Sequence, residues 1–376
     1  MNSKKTGFMI VTGWAMTMLG AWLSAAPADY LVASDLLEKA GLETSWQVNL
    51  PLNPGEKIDK VYVYDKYLYV LTTRNFLFSL DRTAGTVRSL VQLAVPGLPV
   101  QSPMHFENKS IFLVGQQMRV FDPAFGQVIR TVTLKEVGGN YGGIARNKKN
   151  IYVCGSDTRL YVYDAEDEVR IFMASADNDA PIYSVIASDT LVWFSTLAGN
   201  VVAMNSDSPE KIWQFNLSGP MKSPLMLDGG YVYAAGQDTK LYKLNSMLGS
   251  PVWEKPFFAG DKVETPLMMG KACVYLYTVN TGVYAVDKET GKAVWNLPKG
   301  YAVLSEHGSR VYVYVQPGIL SVMDNTERKE LLSINAARVN RFAMNMTDSW
   351  LYLANDKGQV QAVSPIQEKQ QPVESK

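Results

Sequence analysis

Short runs of hydrophobic and aromatic residues alternate with polar residues along most of the chain. The segment VYAVDKETGKAVW shows the pattern most fully: Val283, Ala285 and Asp287 occupy alternate positions, and the apolar pattern resumes in the residues before Trp295. Gly291 lies between the two runs and can adopt a positive φ without a steric cost. The segment therefore predicts a strand, a tight turn and a second strand that begins near the tryptophan.

The same arrangement recurs upstream, in VVAMNSDSPEKIW ending at Trp213 and in LYKLNSMLGSPVW ending at Trp253. Aligning the chain on the Asp287 position gives eight units with separations of 41, 42, 41, 40, 42, 37 and 40 residues, at Asp81, Asp122, Asp164, Asn205, Asn245, Asp287, Asp324 and Ser364. A fixed period near 40 residues indicates a repeat protein and a single domain. The spacing of 37 fits either a trimmed unit or a shorter loop.

Each unit contains four short apolar segments, one of them rich in tyrosine, such as VYLYT at Val274 and VYVYV at Val311. The segment before the tyrosine-rich one often opens with Ser-Pro or Thr-Pro. Four strands per unit predict the blades of an all-β, eight-bladed β-propeller, while the absence of a 3.6-residue period excludes a helical solenoid.

The register of the units also predicts how the ring closes. A strand from Ser45 to Leu50 with Trp46 precedes the first complete unit, whereas the last unit ends at Val363 without such a strand. The N-terminal strand should complete the last blade, which removes the free edges and favours a monomeric closed ring or a subunit of a hetero-complex.

The first 28 residues have the character of a signal peptide. Lys4 and Lys5 precede an uncharged run from Gly7 to Ala26, and Ala26-Pro27-Ala28 offers a peptidase site. We expect a mature chain in the periplasm or outside the cell, without a membrane span, and an uncleaved membrane anchor is the alternative. Residues 29–45 should form a short helix (Tyr30 to Ala40, with Ser34 as N-cap) and a linker, 46–364 the propeller, and 365–376 a disordered polar tail.

The charge balance argues against two classes of partner. Lysine and arginine together number 36, as do aspartate and glutamate, so removal of Lys4 and Lys5 leaves a slight negative excess. This balance provides no electrostatic attraction to nucleic acid or to an anionic membrane.

Few residues have the chemistry of an active site. His105 and His307 have no cysteine, histidine or carboxylate at ligand spacing, and Cys154 and Cys273 lie in distant units, where we expect buried unpaired thiols. The recurring Asp287-type residues are better explained by hydrogen bonds within the turns than by catalysis. The glycines of GGNYGG at 138–143 open no helix and do not predict a phosphate site.

The motif Ala285-x-Asp287-x-x-Thr290-Gly291-x-x-x-Trp295 resembles the repeat of the pyrroloquinoline-quinone (PQQ) type of eight-bladed propeller. The match is partial at Trp213 and Trp253. The resemblance implies tryptophans that dock between blades and are structural. Quinone dehydrogenases of this family, as the resemblance implies, bind calcium through carboxylates and often have adjacent cysteines, which this chain lacks. We therefore expect neither cofactor nor metal nor enzymatic activity.

Specificity in a propeller resides in the loops that lead into the innermost strands, because they surround the mouth of the central channel. At these positions the chain has seven chemically unlike residues: Gln101, Tyr141, Tyr183, Lys222, Glu264, Tyr301 and Arg341. The leading hypothesis is a non-enzymatic scaffold that binds a protein partner in the cell envelope. Within the family, the outer-membrane-assembly propeller subunits are the closest functional type, although those are lipoproteins and no cysteine lies near residue 28. The alternatives are a quinone- or small-ligand-binding dehydrogenase or sensor, and carbohydrate binding through exposed tyrosines.

Overall fold

The computed structural model describes residues 29–134 and 143–366, and the signal-peptide prediction, Tyr141 and residues 367–376 of the predicted tail lie outside this part of the chain. The described residues form one short helix and eight four-stranded antiparallel sheets, which are the blades of a propeller ring. The predicted all-β, eight-bladed fold is confirmed.

In blades 1 to 4 the strands follow one another in chain order. Blade 1 contains β2 (Ile58–Tyr64), β3 (Tyr67–Thr72), β4 (Phe76–Asp81) and β5 (Val87–Gln92). Blade 2 contains β6 (Met104–Phe106), β7 (Lys109–Val114), β8 (Gln117–Asp122) and β9 (Gln127–Thr133). Blade 3 contains β10 (Ile144–Arg146), β11 (Asn150–Cys154), β12 (Leu160–Asp164) and β13 (Arg170–Ala174). Blade 4 contains β14 (Ile182–Ala187), β15 (Leu191–Thr196), β16 (Asn200–Asn205) and β17 (Lys211–Asn216).

Blades 5 to 7 repeat this order, and blade 8 draws strands from both ends of the chain. Blade 5 contains β18 (Met226–Asp228), β19 (Tyr231–Ala235), β20 (Lys240–Asn245) and β21 (Phe257–Phe258). Blade 6 contains β22 (Met268–Met269), β23 (Cys273–Thr278), β24 (Gly282–Asp287) and β25 (Ala293–Leu297). Blade 7 contains β26 (Gly300–His307), β27 (Arg310–Val315), β28 (Ile319–Asp324) and β29 (Lys329–Asn335). Blade 8 contains β30 (Arg341–Phe342), β31 (Leu351–Ala354), β32 (Gln359–Pro365) and the N-terminal β1 (Leu42–Asn49).

The ring closes in blade 8 as the register predicts. Strand β1 pairs antiparallel with β32, from Leu42 opposite Pro365 to Asn49 opposite Gln359. The buried amide of Gln361 reinforces this pairing: it accepts from the Val32 amide, and it donates to the Val32 carbonyl and to Thr44 Oγ1. The two chain ends therefore hold each other in place.

The N-terminal segment differs from its prediction in two respects. Helix α1 spans only Ser34–Lys39, and its N-cap is Ala33, which makes no side-chain capping bond, rather than Ser34. The preceding residues are not helical because the amide of Leu31 is bonded to Gln47 and that of Val32 to Gln361. Strand β1 begins at Leu42, inside the segment that was predicted to be helix and linker.

Blade 7 settles the meaning of the 37-residue spacing. The blade has all four strands, so no strand is missing. Strand β25 ends at Leu297 and β26 begins at Gly300, so the shortening lies in the loop between these blades.

The core is a series of clusters between neighbouring blades. Each tyrosine-rich second strand is almost fully buried and places one large side chain at the same register position, opposite the Ala285-type residue: Tyr69, Ile111, Tyr152, Trp193, Tyr233, Tyr275, Tyr312 and Tyr352. Burial of large aromatic side chains dominates the stability of such a core.

The repeat tryptophans pack against the turn of the next blade. The indole of Trp253 donates its N–H to the carbonyl of Lys288 at 3.0 Å and lies against Gly291. Trp46 makes the equivalent contacts with Arg82 and Gly85, and Trp295 donates to Asn325 Oδ1 instead. Trp253 lies outside the strands, because Pro251 has no amide N–H to continue the ladder and β21 starts only at Phe257.

We predict that Gly291→Ala destabilises the protein far more than Gly308→Ala does. Both glycines have a positive φ, +68° and +61°, so both substitutions incur a similar backbone strain of about 1–2 kcal/mol. A Cβ at Gly291 would lie 2.6 Å from Trp253 Cδ2, whereas one at Gly308 would meet nothing within 4 Å. Overpacking adds about 1–3 kcal/mol at Gly291 alone. Equal urea-unfolding free energies for the two variants would show that the tryptophan contact is not tight.

Candidate functional site

The connections between strands divide the ring into two faces. We call the loop face the side that carries the loops leading into the first strands and the turns between second and third strands. First strands of neighbouring blades contact one another directly, as β30 does with β2, β6 with β10 and β10 with β14. The loop face therefore surrounds one mouth of the central channel.

Five of the predicted candidates come from five consecutive blades, 4 to 8, of the loop face. Tyr183 and Tyr301 are each the second residue of a first strand, Arg341 begins β30, and Lys222 and Glu264 lie in the loops before β18 and β22. Gln101 lies before β6 in blade 2, two blades from the nearest of these five, and its backbone amide donates to the carbonyl of Leu113 at 3.0 Å. Tyr141 lies outside the described residues.

Lys222, Glu264 and Tyr183 form a small charged cluster across blades 4, 5 and 6. Lys222 Nζ lies 3.9 Å from Glu264 Oε1, with about half of each side chain exposed, and Gln237 donates to the same oxygen. Burial, and then the charge of Glu264, raise the pKa of the Tyr183 hydroxyl. Because an exposed ion pair contributes little to stability, these charges are free to serve recognition.

Tyr301 and Arg341 line a pocket between blades 6, 7 and 8, with a volume of about 580 Å³. We call it the aromatic pocket. Its lining contains five aromatic residues, Tyr275, Tyr277, Tyr301, Tyr314 and Phe342, and its other lining residues include Met268, Val283, Val303, Met344, Thr265, Gln316 and Asn340. The volume lies within the range of about 300–1,000 Å³ that is usual for ligand pockets.

Four of these rings, those of Tyr277, Tyr301, Tyr314 and Phe342, hold one another in place. Tyr301 makes edge-to-face contacts with Tyr277, Tyr314 and Phe342 at centroid distances of 5.1, 6.5 and 6.3 Å. The Tyr314 hydroxyl donates to the carbonyl of Val339 at 2.8 Å, which fixes the innermost ring. The wall is therefore preorganised, and Tyr301, at 38% exposure, is its outermost member.

Arg341 contributes a guanidinium group that already has hydrogen-bond and ion-pair partners within the protein. Its Nε donates to the carbonyl of Ile58 at 3.1 Å, its Nη1 to the carbonyl of Asn340 at 2.8 Å, and its Nη2 lies 3.5 Å from Asp356 Oδ1. These contacts connect blade 8 to blade 1 and neutralise the charge at the pocket rim.

The pocket does not fit PQQ, which carries three carboxylates. Its one lining cation is the paired Arg341, and its interior is apolar and aromatic. Over residues 29–134 and 143–366, no group of three or more histidine, cysteine, aspartate or glutamate side chains could hold a metal ion. The donor set therefore suits an uncharged group and not an anion with calcium.

The residues with recognisable chemistry have structural surroundings. Asp287 Oδ1 accepts from the amide and the hydroxyl of Thr290, both at 2.7 Å, and equivalent turn bonds occur at Asp81, Asp122, Asp164, Asn205, Asn245 and Asp324. Cys154 and Cys273 are buried free thiols, as predicted, and burial raises their pKa values to about 12 and about 11.

His105 lies in the first strand of blade 2, and its imidazole packs against the aromatic rings of Tyr64 and Tyr69. Its imidazole is stacked on Tyr64 at 3.6 Å between centroids, and its Nδ1 lies 3.2 Å from Ser110 Oγ. Burial lowers the pKa of His105 from 6.5 to about 4. The folded protein therefore favours the neutral imidazole.

This burial predicts a pH-dependent stability. Since the folded pKa lies below the unfolded one, the contribution of His105 is complete above pH 6.5 and is lost as the pH falls toward 4. Between these values the free energy of unfolding should fall with a limiting slope of about 1.4 kcal/mol per pH unit. In urea titrations, His105→Gln should remove this component and the exposed His307→Gln should retain it. An unchanged slope in His105→Gln would contradict the prediction.

Sequence reasoning missed most of the aromatic pocket. Tyr277 and Tyr314 were assigned only to strands and Phe342 was not singled out, because the three residues come from different blades and meet only after folding. The available signal was their position at the ends of strands that border the candidate loops.

No helix among the described residues is long and apolar enough to cross a bilayer.

Comparisons with known proteins agree with this architecture. A family model described as outer membrane protein assembly factor BamB, of the PQQ-like type, matches residues 197–341. BamB from Moraxella catarrhalis is similar in structure, with a TM-score of 0.66 and 12% identity over 88% of this chain and 99% of that chain. The computationally designed Ika8 protein has a TM-score of 0.66 and 13% identity over 84% of this chain and 98% of that chain.

A more distant propeller also matches. The WD40 domain of Pan2 from Neurospora crassa has a TM-score of 0.58 and 12% identity, over 88% of this chain and 97% of that chain. No curated protein matches the chain significantly. At such low identities, the structural similarities establish the fold and not the activity.

Proposed function

We propose, from the premise that this chain is a PQQ-like eight-bladed propeller of the BamB type, that it is a non-enzymatic scaffold whose loop face binds a protein partner in the cell envelope. The observation that supports this most directly is the distribution of unlike side chains over consecutive blades of the loop face. A partner that contacts Tyr183 in blade 4 and Arg341 in blade 8 has to be large, as a folded protein or a long peptide segment is.

Two further points support a location in the cell envelope and a role in the assembly of outer-membrane proteins. The first 28 residues have the sequence character of a signal peptide, so we propose export to the periplasm or beyond. The matching family model is described as an outer membrane protein assembly factor, so we propose that the partner belongs to the assembly of outer-membrane proteins. This chain departs from lipoproteins, since its two cysteines are both buried in strands.

The first test is a crosslinked pull-down of the mature protein from its native envelope fraction. We expect recovery of a defined membrane-protein partner, and weaker recovery with Lys222→Ala or Glu264→Ala on the loop face. The matched controls are Lys271→Ala and Glu289→Ala, which change exposed charges in turns on the opposite face. Loss in the controls as well would place the binding surface elsewhere.

A thermal-shift assay with PQQ and calcium separates this proposal from a quinone-dependent one. We expect no shift, because the aromatic pocket offers no unpaired cation for a tricarboxylate. A large quinone-dependent shift without recovery of any partner would overturn the scaffold proposal and make the channel a candidate active site.

A further inference from the structure

The aromatic pocket is a wide apolar recess at the border of three blades. The first strands of blades 6 and 8 have only two residues each, Met268–Met269 and Arg341–Phe342, whereas that of blade 7 has eight, Gly300–His307. The pocket lies where the long strand stands between the two short ones, and its lining includes Met344, which is 43% exposed. Exposed apolar surface that is concave and preorganised is typical of a binding site.

The charges around the pocket favour an uncharged occupant. Arg341 is paired with Asp356, and Glu264, beside the lining residue Thr265, is paired with Lys222. A charged ligand would have to displace one of these pairs or remain unpaired in an apolar site, which is costly.

The rim offers neutral hydrogen-bonding groups. Within the described ranges, the hydroxyls of Tyr277 and Tyr301 and the side-chain amides of Gln316 and Asn340 make no hydrogen bond to protein. Hydroxyls and amides both donate and accept, and so match the N–H and C=O groups of an extended peptide backbone. An apolar floor with such a rim is the arrangement in which side chains provide affinity and the backbone provides orientation.

We infer that the aromatic pocket binds bulky apolar side chains, aromatic ones above all, of an extended and uncharged segment of the partner protein. This inference rests on the proposed function and names the chemistry that the loop face recognises. Three of the ring pairs are edge to face and the Tyr314–Phe342 pair is tilted by 45°, so the rings are not coplanar and do not form a continuous flat platform on which a sugar could stack. An aromatic side chain, in contrast, can insert between the edges of these rings and the thioether groups of Met268 and Met344.

The test uses the whole mature protein with methionine methyl groups labelled for NMR. The probe is the capped peptide acetyl-Ser-Phe-Thr-Phe-Ser-amide, and the comparison peptide has serine in place of both phenylalanines. We expect the phenylalanine peptide to shift the resonances of Met268 and Met344, and to leave the buried Met118 of blade 2 unchanged. Equal binding of the two peptides, shifts confined to other methionines, or binding of maltotriose instead would overturn the inference.

Matched variants make the assignment specific. Tyr301→Ala and Met344→Gln should each weaken binding of the phenylalanine peptide about 10-fold, the loss that removal of a central anchor contact causes. Both residues are partly exposed, so the variants should fold. The controls Phe125→Ala and Met247→Gln change residues that are 75% and 57% exposed outside the pocket, and should bind normally. Normal binding by the two pocket variants would contradict the inference.

The same variants distinguish failure of this inference from failure of the proposed function. If wild-type protein recovers a partner and Tyr301→Ala recovers it equally well, the scaffold function stands and the pocket is not the anchor site. If wild-type protein recovers no partner but binds the phenylalanine peptide through Met268 and Met344, the pocket assignment stands and the envelope-partner proposal fails.

Discussion

Trp253→Ala should lower the free energy of unfolding by about 3–5 kcal/mol, the cost of replacing a buried tryptophan by alanine. The indole is 5% exposed, its ring lies against Gly291 of blade 6, and its N–H donates to Lys288. The substitution would leave a cavity between blades 5 and 6, and the Lys288 carbonyl would keep only its bond from Lys243 Nζ. Urea unfolding followed by circular dichroism measures the loss.

Trp253→Phe is the control that separates the two contributions. It retains an aromatic ring against Gly291 and removes the hydrogen bond to Lys288, so it should cost about 1–2 kcal/mol. A ligand-stacking role would have a different signature, with stability nearly unchanged in Trp253→Ala and partner recovery lost. Trp213→Ala, at a less buried position of the same kind, should cost less than Trp253→Ala.

The repeat could be read from sequence because its determinants are local. An aspartate or asparagine that accepts hydrogen bonds from the amides of the following turn, such as Asp287, recurs in blades 1 to 7 and sets the register of two strands at once. Strand boundaries are harder to predict from the sequence where a single residue interrupts the repeat pattern. Trp253 matches the motif, yet Pro251 ends the ladder before it.

The candidate site was predictable only in outline. The position of Tyr301 and Arg341 on the loop face follows from counting strands. Their meeting with Tyr277 and Phe342 does not, because it depends on the lengths of three first strands and on how three blades pack. The start of helix α1 was misplaced for a similar reason, since Val32 is held extended by Gln361, which is 329 residues away in the chain.

Deletion of residues 29–49, which we call the N-terminal clasp, should lower the stability of the folded protein more than any of the single substitutions. Blade 8 would lose its outermost strand, and with it the pairing of β1 with β32 along seven register positions. The deletion also removes Leu31, Leu37 and Leu42, all buried in the core cluster between blades 7 and 8. The edge of β32 would then be open to pairing with another chain.

We therefore expect the deleted protein to lack a single cooperative unfolding transition and to associate in size-exclusion chromatography. A synthetic peptide of residues 29–49 should restore the transition and the monomer, because the missing strand can pair in trans. The point variant Gln361→Ala, which leaves β1 in place, should cost about 2–4 kcal/mol, since the amide and carbonyl of Val32 would be buried without partners. If the deleted protein instead unfolded as a monomer at the wild-type urea midpoint, closure of the ring by β1 would contribute nothing to stability, and the coupling of the chain ends would have to be abandoned.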